Sequence, residues 1–137
     1  MSSIISATTR SRAATSDRFF AAADELLLRA REEEARGADD LALEYSYRAA
    51  LRVAGAVCAE SPVLRRRKRL PSSAWEKLAL TGEFGEAWAR RFSAFSSLRA
   101  RVASGIADAP PSDVVRGFMD AVEEFFAAAQ PGSTLVA

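Results

Sequence analysis

Histidine is absent from these 137 residues, and cysteine occurs once, as Cys58. Without imidazole there is no Ser-His-Asp or Cys-His nucleophilic centre. The same lack excludes histidine-ligated zinc and the Glu-x-x-His pattern of di-iron carboxylate bundles. One thiol excludes an intramolecular disulfide and any multi-cysteine zinc site, and such sparing usage fits a reducing cytoplasm. A general base would have to be a carboxylate, a lysine, a tyrosine or Cys58 itself. The carboxylates cluster at Glu32 to Glu34, Asp39 and Asp40, and Glu123 and Glu124. Adjacent helical residues point about 100° apart, so these groups read as solvated faces and caps rather than acid/base pairs. Cys58 falls on an apolar stripe, where a thiol is raised in pKa and unreactive. No catalytic residue, metal or cofactor is expected.

Long apolar runs are also missing. Nothing approaches the ~18 residues of a membrane span. No segment alternates with period two, and β-branched residues are sparse while alanine occurs 29 times. Helix is therefore favoured almost everywhere. The opening "MSSIISATTRSRAATS" is acid-free and rich in Ser, Arg and Ala, as a transit peptide would be, but lacks the apolar centre of a secretory signal. Residues 1–15 are read as a disordered tail, 16–130 as a single domain and 131–137 as a loose end.

The helices follow from spacing and caps. Ser16 is the expected N-cap of the first and Gly37 its stop. The second opens at Asp39 or Asp40 and runs to about Glu60, with Leu43, Tyr47, Ala50, Leu51, Ala54, Val57 and Cys58 on one face. A short third begins at "SAWE", where Ser73 and Glu76 have capping-box spacing, and Thr81-Gly82 ends it. The fourth carries Phe84, Trp88, Phe92, Phe95, Leu98 and Val102 in a stripe. After the proline-containing loop "SGIADAPPSD", Ser112 caps the last, whose residues Val114, Val115, Phe118, Met119, Val122, Phe125 and Phe126 span an arc of about 140°, wider than the usual ~100° stripe. Four longer helices and one short one make an all-α, antiparallel bundle around a single core.

What stands out from this frame is "VLRRRKRLPSSAW". The formal net charge is +1, and Arg65, Arg66, Arg67, Lys68 and Arg69 supply five positive charges, so the remainder of the chain sums to −4. A protein reading nucleic-acid backbone over its whole surface would be basic throughout; here such binding must be local. Two readings of the run stand side by side. Five cations beside a helix N-terminus capped by Ser73 form a ready anion site. Alternatively they complement the carboxyl end of the preceding helix and keep a loop solvated. Nothing aromatic is interleaved with the arginines, so base stacking of the single-strand type has no platform. Arg48 and Arg52 lie on the flank of the second helix, and Arg48, Arg52 or Arg99 could line a helical groove beside the phosphate contacts of the run. Arg99 falls inside the stripe of its helix, and a guanidinium is almost never buried without a partner. Either it meets carbonyls or Glu123 near the helix end, or it points into a cleft and receives an anion.

The segments "YSYRAALRVAGAVCAE", the Arg-rich linker, "SAWEKLAL", "GEFGEAWARRFSAFSSLRARVASG" and "DAVEEFFAAA" together resemble a small actinobacterial branch of the HEPN superfamily, the higher eukaryotes and prokaryotes nucleotide-binding proteins. The resemblance covers about residues 17 to 130. It implies a four- or five-helix antiparallel bundle, frequently a homodimer, linked to RNA, DNA or nucleotides. Many members are metal-independent RNases whose motif is an arginine separated by four to six residues from a histidine. This chain departs from it: after Arg99 those positions are Ser104, Gly105 and Ile106, and after Arg101 they are Ile106, Ala107 and Asp108. The implied role is a non-enzymatic scaffold that binds nucleic acid or nucleotide. The alternative is a structural module whose wide apolar arc on the last helix meets a helical protein partner.

Overall fold

The computed structural model describes residues 7–132, and residues 1–6 of the expected N-terminal tail and 133–137 of the C-terminal end lie outside them. Six helices follow in order: α1 (Ala7–Ala35), α2 (Asp39–Ala59), α3 (Pro62–Arg66), α4 (Ala74–Ala79), α5 (Glu83–Ala103) and α6 (Ser112–Ala129). There is no strand among the described residues, and the all-α bundle expected from the sequence is what is seen. No helix among them is long and apolar enough to cross a membrane.

The bundle is built on one close helix pair. On α1, Ser16, Ala23 and Ala30 are spaced by seven residues, and on α2 so are Ala42, Ala49 and Ala56. All six are buried. Antiparallel packing sets Ser16 against Ala56, where its hydroxyl donates to the Ala56 carbonyl at 3.5 Å, and Ala30 against Ala42 in one small cluster with Val115 and Met119. Side chains this short let two backbones approach closely, so the α1–α2 contact is the most extensive in the molecule.

This packing corrects the start of α1. Ser16 is not an N-cap: the helix begins at Ala7 and Ser16 lies inside it, facing α2. Its N-cap chemistry is not needed because residues 7–15 contain no breaker, and Thr15 satisfies its hydroxyl on the Ser11 carbonyl one turn back at 2.9 Å. Those nine residues continue the helix rather than belonging to a tail.

On its other side α2 packs against α4, α5 and α6. It is thus buried over two faces, the expected one with Leu43, Tyr47, Ala50 and Ala54, and a second with Ala42, Ser46, Ala49, Val53 and Ala56. Leu51, Val57 and Cys58 are only half-buried. The aromatic residues of α4, α5 and α6 fill the core above it. Trp88 stacks on Phe125 at 4.9 Å between centroids, Trp75 leans on Phe92 at 5.5 Å, and the Trp75 indole donates to the buried Tyr47 hydroxyl at 2.8 Å. The elbow between α4 and α5 depends on Gly85, where a Cβ would come within 2.2 Å of the Leu78 carbonyl oxygen.

Two further expectations change. Ser112 does not cap α6; it is the first helical residue, and its hydroxyl donates to Asp39, tying the start of α6 to the start of α2. The wide apolar arc of α6 is covered by this chain's own core: Val115, Phe118, Met119, Val122 and Phe125 are buried, and only Val114 stands out, 45% exposed. Most of the arc is therefore covered within the chain, with Phe126 partly buried.

Because Ala49 is fully enclosed between α1 and the rest of the core, Ala49→Leu is expected to force the two helices apart at a cost of about 1–3 kcal/mol. Chemical denaturation followed by circular dichroism measures it. A substitution at the solvent-facing Ala13 is the control and should leave the midpoint unchanged.

Candidate nucleic-acid interface

The basic run is held by a short helical turn within what the sequence reads as a connector. Ser61 caps α3, accepting from the Leu64 amide at 3.3 Å, and Pro62 takes the first helical position, where a missing N–H is harmless. Leu64 is buried and anchors the turn. Arg65 and Arg66 then form its last turn, and Arg67 leaves it in extended geometry. All five cations are exposed.

Their partners are few. Arg65 donates to the Glu60 carbonyl at 3.4 Å and Arg67 to the Arg69 carbonyl at 3.3 Å. No carboxylate among the described residues pairs with any of the five. Ser73 does not join them. Its oxygen accepts from the Glu76 amide at 3.4 Å, and α4, six residues long, is too short for a strong N-terminal dipole.

Arg48 and Arg99 are also committed elsewhere. Arg99 clamps Glu44 in a bidentate pair, Nε to Oε1 and Nη2 to Oε2, both at 2.9 Å. Its guanidinium lies 5.3 Å from the centre of the Tyr47 ring. Arg48 donates to the same carboxylate at 2.7 Å. Arg99 does face a cleft, of about 330 Å³ and lined also by Asp40, Leu43 and Val102, but the anion it receives is Glu44 of its own chain. Glu123, one of the partners the sequence offered for it, is taken by Arg31 of α1, with Nε to Oε2 at 3.0 Å. The Arg99 hydrogen bond, with help from Arg48, holds the Glu44 carboxyl below its ordinary range against the opposing effect of burial.

Arg52 sits apart from this clamp. It lines a shallow cleft of about 210 Å³ with Thr15, Arg18 and Phe19. Phe19 also lines a larger groove of about 460 Å³ beneath the basic run, walled by Leu51, Leu64 and Leu70 and reached by Arg65 and Lys77. Cys58 is on the same wall, where burial pushes its thiol up despite the opposing charge of Lys77; it is a packing residue. Arg18, Phe19 and Lys77 escape sequence reasoning because no spacing rule links α1 to α4. One signal was present: Gly55, a helix-weakening residue in the middle of α2. A Cβ there would lie 2.7 Å from the Phe19 ring, so the missing side chain is the seat of that ring.

An all-α bundle with several arginines held by carboxylates of neighbouring helices and an exposed basic connector defines the class of protein. A family model described as SAV_6107-like HEPN matches residues 30–130, and this chain belongs to that HEPN family. No curated protein and no solved structure matches it.

The clamp yields a pH test. Because the folded pKa of Glu44 lies below the unfolded value of 4.5, its contribution to stability is fully present above that value and is lost as pH falls through the folded pKa. Glu44→Gln is expected to lower stability by about 1–3 kcal/mol near neutrality, since it weakens the polar contacts of the half-buried Arg99. The gap from wild type should shrink under acid, as urea unfolding at several pH values will report.

Proposed function

We propose that this chain is a non-catalytic HEPN-type module that holds the phosphates of a nucleic acid or nucleotide through Arg65, Arg66, Arg67, Lys68 and Arg69. The observation that carries this reading is a contrast among the cations. Arg31, Arg36, Arg48, Arg99 and Arg116 each meet a carboxylate. The five of the run are adjacent and exposed, and meet none among the described residues. Like charges held side by side repel one another. A line of phosphates would offset that repulsion with cation–phosphate attraction.

The chain has no histidine, so the Arg-x4-6-His pair of the RNase members has no counterpart. The positions that would hold the histidine after Arg99 fall at the end of α5 and in the following loop, as Ser104, Gly105 and Ile106. That departure supports the reading of binding without cleavage.

Anisotropy titrations of labelled RNA and DNA across salt concentration provide the test. With all five cations on phosphate, log affinity is expected to fall against log salt with a slope of about −4.5 for duplex and about −3.5 for a single strand. Replacing the five by glutamine should flatten the slope and remove binding. No binding at low salt, or binding indifferent to that replacement, would sink the proposal. Steady cleavage of labelled RNA by purified protein would overturn its non-catalytic half.

A further inference from the structure

The run supplies charge but no flat surface, and the surface is found on another helix. The Phe19 ring lies over Gly55 of α2 and is shared by two adjoining clefts. Around it the fold gathers four cations from four helices: Arg18 of α1, Arg52 of α2, Arg65 of α3 and Lys77 of α4. None of the four pairs with a carboxylate among the described residues; Arg18 donates only to the Thr15 hydroxyl, at 3.3 Å, and Arg65 only to the Glu60 carbonyl, at 3.4 Å. No acidic side chain lines either cleft.

We infer that the ligand of this surface is a single-stranded nucleic acid, with one base laid against Phe19 and the flanking phosphates carried by Arg18 and Arg52 on one side and by Arg65 and Lys77 on the other. This rests on the reading of the basic run given above and extends it. Single-strand sites combine a cationic track with an aromatic ring on which a base stacks, and stacking tolerates any sequence because every base has a π-face. A duplex keeps its bases stacked on one another and leaves nothing for the ring. The groove of about 460 Å³ has room for a base and its sugar. Its walls are largely aliphatic, with Ser72 the sole hydroxyl, so the site reads stacking and charge rather than base identity.

The test uses the full chain with labelled twelve-residue oligouridine, twelve-residue oligothymidine and a twelve-base-pair DNA duplex, none of which forms internal hairpins. Phe19→Leu keeps apolar bulk over Gly55 and removes the ring. It is expected to weaken both single strands by about ten-fold and to leave the duplex unchanged. Phe19→Tyr keeps the ring and should retain wild-type affinity. Arg52→Gln and Lys77→Gln, which do not disturb the core, should each reduce the single-strand salt slope by about 0.7. If Phe19→Leu matches wild type on single strands while the five-fold glutamine protein loses binding, the base seat is overturned and the basic run stands. Equal effects of Phe19→Leu on duplex and single strand would overturn it too. If no oligonucleotide binds at low salt, both readings fall together.

Discussion

The close approach of α1 to α2 underlies the rest of the structure. Six short side chains, five alanines and Ser16, line the two backbones at seven-residue spacing. Such residues lose almost no side-chain entropy on burial, so a close interface forms at little cost, but it contributes little apolar area. The area comes from the opposite side of α2, where Trp75, Trp88, Phe92, Phe118 and Phe125 pack against one another. α2 is therefore the central helix, lean on one side and fatty on the other. The positions of the candidate surface depend on this asymmetry, since Phe19 reaches Gly55 only because α1 lies so near.

The arginines divide according to the same geometry. Three arginines that cross between helices meet acidic residues: Arg31 with Glu123 and Asp120, Arg99 with Glu44, and Arg116 with Glu34. These pairs bind α1 to α6 and α2 to α5. Exposed members of such pairs add little to stability; Glu44, only 16% exposed, matters more because removing it leaves a half-buried guanidinium short of acceptors. The runs of acid along the chain are thus partly clamps and not merely solvated faces. The cations of the connector and those around Phe19 stand outside this scheme, and that difference gives them a functional reading.

Cys58 and the tyrosines illustrate how packing decides chemistry. Burial raises the Cys58 thiol above its ordinary pKa. Tyr47 accepts from Trp75 on its hydroxyl and carries the Arg99 guanidinium on its ring, while Tyr45 receives Arg29 at 4.7 Å. The motif "YSYR", among the segments that carry the family resemblance, therefore builds a polar seam joining α2 to α1, α4 and α5.

Local sequence determined the helices whose ends carry their own chemistry. α2, α4 and α5 begin and end close to where acids, the Ser73 cap, Thr81-Gly82 and the apolar periodicity place them, because those signals act within one or two turns. The lack of histidine likewise closes off whole classes of mechanism without any coordinates. The fold decided what depends on residues far apart in the chain. Ser16 lies inside a helix that starts earlier, and the fold gave it the Ala56 carbonyl of α2 as its partner. Arg48 and Arg99 became partners of Glu44 because α5 crosses α2 there. Phe19 gained cationic neighbours from three other helices. Helical periodicity names which side of a helix is apolar, but it carries no information on which other helix will cover that side, and that pairing is where the charges of this protein are either neutralised or left open.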